Sequence, residues 1–184
     1  MPLKSFHVRS NCMLTLVQAS QGFAVDYNMV KAHLRLDADY EKTLIELYIQ
    51  SCTAIVEAYL QTTLTDKIWC WAIQNPARHS GSIHLPMGPV KEILSVHKVT
   101  VNGHKEPLHR YEFNPQNSSI SCKSPYPLEI VYRSGICISN VSIHPLVQQV
   151  ILNLVAYAYE NRSEPLVLTT SMQQILQPFK KVII

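Results

Sequence analysis

Asp37 and Asp39, in the stretch "RLDAD", are the first residues whose types and spacing suggest chemistry. Two close carboxylates can hold a divalent cation. Asp39 also stands where a helix is expected to start, and capping of helix termini accounts for both residues more simply. In "YENR", Glu160 and Arg162 fall at a helix end, where a local ion pair or a subunit contact explains them better than an active site. His97, His104 and His109 surround a candidate hairpin and read as exposed polar positions. The five cysteines, Cys12, Cys52, Cys70, Cys122 and Cys137, show neither a CxxC pair nor metal-ligand spacing, and their odd number argues against a complete disulfide framework. They read as reduced thiols, with Cys52 a small core residue of a helix. No HExxH, GxSxG, P-loop or GxGxxG pattern occurs. The sequence therefore nominates no catalytic set, no metal site and no cofactor, and the expectation is a protein that is not an enzyme.

The elements that must position these residues come from a chain of 184 residues, of which 47% are hydrophobic and only 16% charged. That is ample apolar material for a core, with charge well below the usual quarter. Such a surface suits a protein that buries much of its exterior in an assembly. The net charge of +3 comes from sixteen scattered basic residues, of which only Lys180 and Lys181 are adjacent. Tight, static binding of nucleic acid needs a concentrated basic stripe and is disfavoured, while loose contact is not. No apolar run approaches the roughly 18 residues of a membrane span. The opening "MPLKSFHVRSNCMLTLVQAS" imitates a signal peptide, but its apolar stretch is too short for export.

Apolar periodicity predicts two early helices. Asp26 caps the first, whose face is Met29, Val30, His33 and Leu34. Asp39 is expected to cap the second, with Leu44, Tyr48, Cys52, Ile55 and Tyr59 on one stripe and Ile45, Ile49, Val56 and Leu60 beside it. So wide an apolar face implies burial on two sides, or burial plus a subunit contact. From Thr62 the pattern turns to strands: "KIWCWAI" with Trp69 and Trp71 on one side, "SIHLP", a hairpin turning at Asn102-Gly103, "SISC" and "LEIVYRSG". Helix returns at "HPLVQQVILNLVAYAYENR", with Pro145 in its first turn and Val147, Val150, Ile151, Leu154, Val155 and Ala158 buried. Ser171 with Gln174 suggests a capping box for a short helix ended by Pro178, followed by an extended "FKKVII". The expected fold class is α+β, mainly helical: two N-terminal helices and one late helix around a small antiparallel β-sheet, with an extended C-terminal tail.

Several phrases, in order, resemble the head–tail connector (adaptor) proteins of long-tailed phages and gene transfer agents. The family's K-x-H-L-R-[LV]-D phrase is matched by Lys31, His33, Leu34, Arg35, Leu36 and Asp37. The Trp-bearing strand, the "LPMGPV" turn, the late "Y.SG", the helix from Pro145 to Tyr159-Glu160-Asn161-Arg162 and the closing "ILQPFKKVII" are also similar. The resemblance runs from about Leu14 to Ile184. It divides the chain into residues 1–12, an over-extended start or disordered arm, a connector domain over 13–162, and a linker with a C-terminal docking tail over 163–184.

What the resemblance implies is a structural virion protein. Such proteins form a ring, about twelvefold, beneath the portal, where it extends the DNA channel and joins head to tail. The implied partners are the portal protein, downstream head-completion or tail proteins, other copies of the chain, and DNA in transient contact. The implied location is the head–tail junction of the virion, reached from the host bacterial cytoplasm, with no membrane. Portal docking falls to Pro178, Phe179, Lys180, Lys181, Val182, Ile183 and Ile184, the extended segment adding as a strand to a partner's sheet. Pairing of the tail with the protein's own sheet is the other reading. Subunit or channel contacts fall to Lys98, Asn102, Gly103, His104, Lys105, Glu160 and Arg162. The alternatives are a DNA-binding or DNA-packaging accessory protein, or a head-completion stopper.

Overall fold

The computed structural model describes residues 5–7, 12–76, 82–100, 102–136 and 143–181. Two apolar clusters organise it, one built by helices and one by strands. Helix α1 spans Tyr27–His33 and α2 Lys42–Leu60, while α3 spans Pro145–Glu160 and α4 Thr170–Leu176. Strands β1 (Ser5–His7), β2 (Cys12–Gln18), β3 (Lys67–Ile73), β5 (Val90–Val99), β6 (Lys105–Pro107) and β9 (Leu128–Ser134) form a six-stranded sheet ordered β1-β2-β3-β9-β5-β6. Strands β4 (Ser82–His84), β7 (Glu112–Asn114) and β8 (Ser119–Ser121) form a second sheet, ordered β4-β8-β7. All these strand pairs are antiparallel. The α+β class stands, with the sheet component larger than the sequence pattern implied. Part of the difference is β2, whose "CMLTLVQ" pairs along the Trp-bearing strand, Leu14 opposite Trp71 and Leu16 opposite Trp69.

In the helical core the fully buried stripe of α2 is Ile45, Ile49, Cys52, Val56 and Leu60, while Leu44, Tyr48, Ile55 and Tyr59 are half-buried. They meet Val147, Val150, Ile151, Leu154 and Val155 of α3, the face expected from periodicity. Only Val30 of α1 is buried, and Met29 and His33 are exposed. Period-two alternation builds the sheet core: Trp69, Trp71 and Ile73 on β3, and Leu128, Ile130 and Tyr132 on β9.

Capping differs from expectation in two places. Asp26 does cap α1, accepting from the Asn28 N–H at 2.8 Å. Asp39 does not cap α2. Its carboxylate accepts from Lys31 Nζ at 2.7 Å and from the Tyr27 hydroxyl at 2.9 Å, which pulls its pKa below the usual carboxylate range. The α2 N-cap is Glu41, without a side-chain cap bond. For α4 the cap is Thr169, which accepts from the Met172 N–H, so Ser171 lies inside the helix. Asp26→Ala is expected to cost about 1 kcal/mol, because it strips the acceptor from an otherwise unsatisfied helix-end N–H. The loss is read as a lower midpoint in urea denaturation.

The K-x-H-L-R-L-D phrase has a structural meaning. It ends α1 in a Schellman motif: the Leu36 N–H donates to Lys31 O at 3.1 Å and the Arg35 N–H to Ala32 O at 3.2 Å. Arg35 takes the left-handed position, with φ 55°, and Leu36 packs back against the helical core.

Candidate functional site

The C-terminal segment meets the fold where the two cores join, at the end of α2. Gln61 turns left-handed there, and Thr62–Leu64 lead directly towards β3. Thr63 is fully buried and its hydroxyl is saturated: it donates to Met87 O at 2.7 Å and accepts from Trp69 Nε1 at 3.1 Å and Ser134 Oγ at 3.0 Å. Its N–H donates to Gly88 O at 2.9 Å, which holds the "LPMGPV" turn against the end of the helix. That turn carries a cis Gly88-Pro89 bond and Met87 at φ 53°. Tyr132 donates its hydroxyl to Pro86 O at 2.7 Å, and the Val90 N–H donates to Ser118 Oγ at 3.0 Å.

Onto this junction the chain lays residues 177–181. Gln177–Phe179 form a short 3-10 turn, not a strand. Phe179 stacks at 4.6 Å on His144, the residue that caps α3. Lys180 Nζ lies 4.7 Å from the centre of the Tyr59 ring, and Tyr59 donates its hydroxyl to Gln173 O and Gln177 Oε1. The Lys181 N–H donates to Leu60 O at 3.1 Å, satisfying a carbonyl of the last turn of α2. A Cβ placed on Gly88 would stand 2.8 Å from Lys181 Nζ and 2.9 Å from Ser118 Oγ. Desolvation there lowers the pKa of Lys181, although the residue as a whole is exposed. Of the expected docking residues, Phe179, Lys180 and Lys181 thus contact their own fold, Pro178 is exposed, and Val182, Ile183 and Ile184 lie outside the described residues.

The second group of candidates is not brought to this place. Lys98 and Lys105 lie on β5 and β6, each already paired: Lys98 with Glu106 at 2.7 Å, Lys105 with Glu129 at 2.6 Å. The hairpin between them is longer than a two-residue Asn-Gly turn. The Gly103 N–H closes on Thr100 O at 2.8 Å, Gly103 sits at φ 77°, and the Thr100 N–H donates to His104 O at 2.9 Å. This places the glycine at a bulge position after the turn. Asn102, Gly103 and His104 are exposed there. His109 is exposed as well, but His97 is half-buried on β5. Glu160 is exposed without an ion-pair partner among the described residues. Arg162 instead reaches Glu41 at 2.7 Å, and Tyr159 donates its hydroxyl to the same carboxylate at 2.6 Å, so this cluster ties α3 to the start of α2. Glu41 is held below the usual carboxylate range by those bonds.

Sequence reasoning did not find Thr63, Ser118 or the buried pair of Glu57 and Lys67. The partners of Thr63 and Ser118 lie far along the chain, and those of Glu57 lie across the turn after α2, at a spacing no helix or strand period marks. Among the described residues, Lys31, Lys42, Lys67, Lys98, Lys105, Arg133 and Arg162 pair with carboxylates. The thiols are not poised for reaction, burial pushing Cys52 up to about 12 and Cys70 to about 11. No helix among the described residues is long and apolar enough to cross a membrane.

Comparison with known proteins bears on what this surface serves. Residues 28–104 match the family model of the phage gp6-like head-tail connector protein. No curated protein matches the sequence. A chain from the neck of an empty gene transfer agent particle, computed with C6 symmetry, superposes with a TM-score of 0.75 at 20% identity, covering 94% of this chain and 97% of that one. A chain from the virion of a native gene transfer agent particle has a TM-score of 0.75 at 19% identity, over 93% and 96%. One from a native neck with C12 symmetry has 0.72 at 19%, over 94% and 97%. Over residues 28–104, then, the chain is similar to the phage gp6-like head-tail connector proteins, and it has the same fold as chains of gene transfer agent particles.

Proposed function

We propose that the chain is a structural virion protein, a head–tail connector that forms a ring beneath the portal, extends the DNA channel and joins head to tail. The observation that carries this reading is the connector family match over residues 28–104, which spans α1, α2 and the Trp-bearing strand. The whole-chain likeness to proteins in neck structures of C6 and C12 symmetry supports a ring. The chemistry agrees. Seven basic side chains among the described residues are paired with carboxylates and the others are scattered, so a channel built from copies of the chain would not grip a moving duplex at many phosphates at once.

The portal contact is assigned to Val182–Ile184, presented by the anchored segment before them. Deleting residues 182–184 is expected to leave urea stability within about 0.5 kcal/mol of the parent and to abolish the ring seen below the portal by electron microscopy. Deleting 178–184 additionally removes the Phe179 packing and the Lys181–Leu60 bond, and is expected to lower stability by about 1–3 kcal/mol. Ring density retained by both truncations would refute the tail as the portal contact. A monomer that ignores the portal and binds DNA tightly at physiological salt would favour a packaging accessory protein.

A further inference from the structure

The six-stranded sheet has one filled side and one bare side. Leu14, Trp71, Ile130 and Val96, one from each of β2, β3, β9 and β5, belong to the strand cluster and fill the inner side. Register sets out the opposite side in rows. Thr15, Cys70, Val131 and Ser95 stand side by side across its middle, none of them charged. On one side of that row Met13 and Ala72 lead to Glu129 and His97, and on the other Gln18 and Ile68 lead to Arg133 and Glu92. Leu94 lines the same depression as Ile68 and Arg133. Met13 is 44% exposed and Leu94 46%, and neither apolar cluster includes Met13, Ile68, Cys70, Ala72, Leu94 or Val131. An antiparallel sheet with one solvated face ordinarily turns polar side chains outward. Here β2 and β3 turn out Met13, Ile68, Cys70 and Ala72, while the charges gather on β9 and β5, where Glu129 pairs with Lys105 and Arg133 with Asp66 and Glu92.

A second bare surface lies on α2. Beyond its first residue, the exposed positions of this 19-residue helix are Thr43, Leu47, Gln50, Ser51, Ala54 and Ala58, without one charge. A surface helix usually sets charged side chains there, and Leu47 is 56% exposed. Each surface supplies what the other lacks, since an apolar sheet face is completed by a layer of helix. Their dimensions agree: from Thr43 to Ala58 the helix face is about 22 Å long, and strands of seven residues run about 23 Å. A helix about 10 Å across covers two or three strands and leaves Glu92, Glu129 and Arg133 in water. A second sheet laid face to face would bury those charges, at a desolvation cost.

We infer that the outer face of β2 and β3 receives the outward face of α2 from the next copy of this chain. The inference rests on the connector reading, to whose ring it gives a contact. Because the two surfaces differ, the contact is head-to-tail: each copy offers its sheet to one neighbour and its helix to the other, the arrangement that closes into a ring. One such contact, about 22 Å by 10 Å, falls short of the roughly 800 Å² that each partner buries in a stable interface, so copies hold together in a closed ring rather than as dilute pairs.

The test mixes two single variants of the full chain, S51C and L94C, at high concentration, with and without the portal. A short bismaleimide joins neighbouring thiols, and peptide mass spectrometry maps the links. Links between positions 51 and 94 are expected at least fivefold above those joining the engineered positions in a mix of L94C with Q149C, Gln149 being exposed on α3. Yields no higher than that control, in both conditions, overturn the inference. So do links that join 51 to 51 or 94 to 94 in preference, because like faces would then be packing together. L47E puts a charge on the helix face and is expected to keep the parent's urea midpoint but lose the ring seen below the portal. A normal ring from L47E overturns this contact and leaves the connector reading standing. A parent that forms no ring defeats that reading instead, and the cross-links of the protein alone then decide this contact.

Discussion

Glu57→Ala is expected to destabilise the protein by about 3–5 kcal/mol, measured as a fall in the urea midpoint with little change in slope. Glu57 faces inward from α2 with its side chain 2% exposed, and Lys67, at the start of β3, is 12% exposed. One carboxylate oxygen binds Lys67 Nζ. The other accepts from the Leu64 N–H at 2.8 Å and the Thr65 N–H at 3.3 Å. Truncation therefore leaves a buried ammonium and two buried amides without their acceptor, and each unmet group carries its own desolvation cost. Against a total of roughly 5–15 kcal/mol for a folded domain, that loss is large. Lys67→Met should cost less, because the amides keep their acceptor. A Glu57→Ala cost below about 1 kcal/mol would mean that water reaches the junction and replaces the carboxylate.

Gly135→Ala is expected to be nearly as damaging, at about 3 kcal/mol or more. Gly135 holds φ 150°, where a side chain is rarely tolerated. A Cβ there would stand 2.3 Å from Thr65 O and 2.8 Å from Thr65 C, backbone atoms that cannot swing away. Gly22→Ala is the control. Its Cβ would meet only Ser20 Oγ, at 3.7 Å, and should shift stability by no more than about 0.5 kcal/mol. Thermal unfolding of the two variants distinguishes the cases directly. Because Thr65 touches both Glu57 and Gly135, the double variant Glu57→Ala, Gly135→Ala should fall short of the sum of the singles.

The parts of this fold that depend on local pattern were legible from sequence. Period 3.6 marked the buried face of α3, and period two set Trp69 beside Trp71. The cap at Asp26 and the proline opening α3 were equally local signals. Strand β2 was hidden because its partner lies more than fifty residues on, and a short apolar run before a loop resembles several other things. Asp39 misled for a related reason. A carboxylate ahead of a helix is a good cap, but a lysine and a tyrosine one helix earlier compete for it and win. The tail was the hardest segment to read. "FKKVII" has the composition of a strand, yet Pro178 sets a helical φ and tertiary contacts with His144, Tyr59 and Leu60 claim Phe179, Lys180 and Lys181. Of the hairpin's candidate contact residues, Asn102, Gly103 and His104 lie on the exposed turn and Lys98 and Lys105 on its strands, and the carboxylates that neutralise Lys98 and Lys105 come from Glu106 and Glu129, which no spacing rule links to them.

The bond from the Lys181 N–H to Leu60 O also sets a length. Beyond that point Val182–Ile184 span at most about 10 Å when fully extended, at 3.3–3.6 Å per residue. A partner that grips these three side chains is drawn to within that distance of the end of α2, with almost no slack for it to drift. For such a partner the anchor would act as a short tether rather than a flexible leash, its effective concentration governed by a few main-chain bonds. Tension applied to the tail passes through one carbonyl into a nineteen-residue helix that crosses the core, and through Thr63 into the sheet.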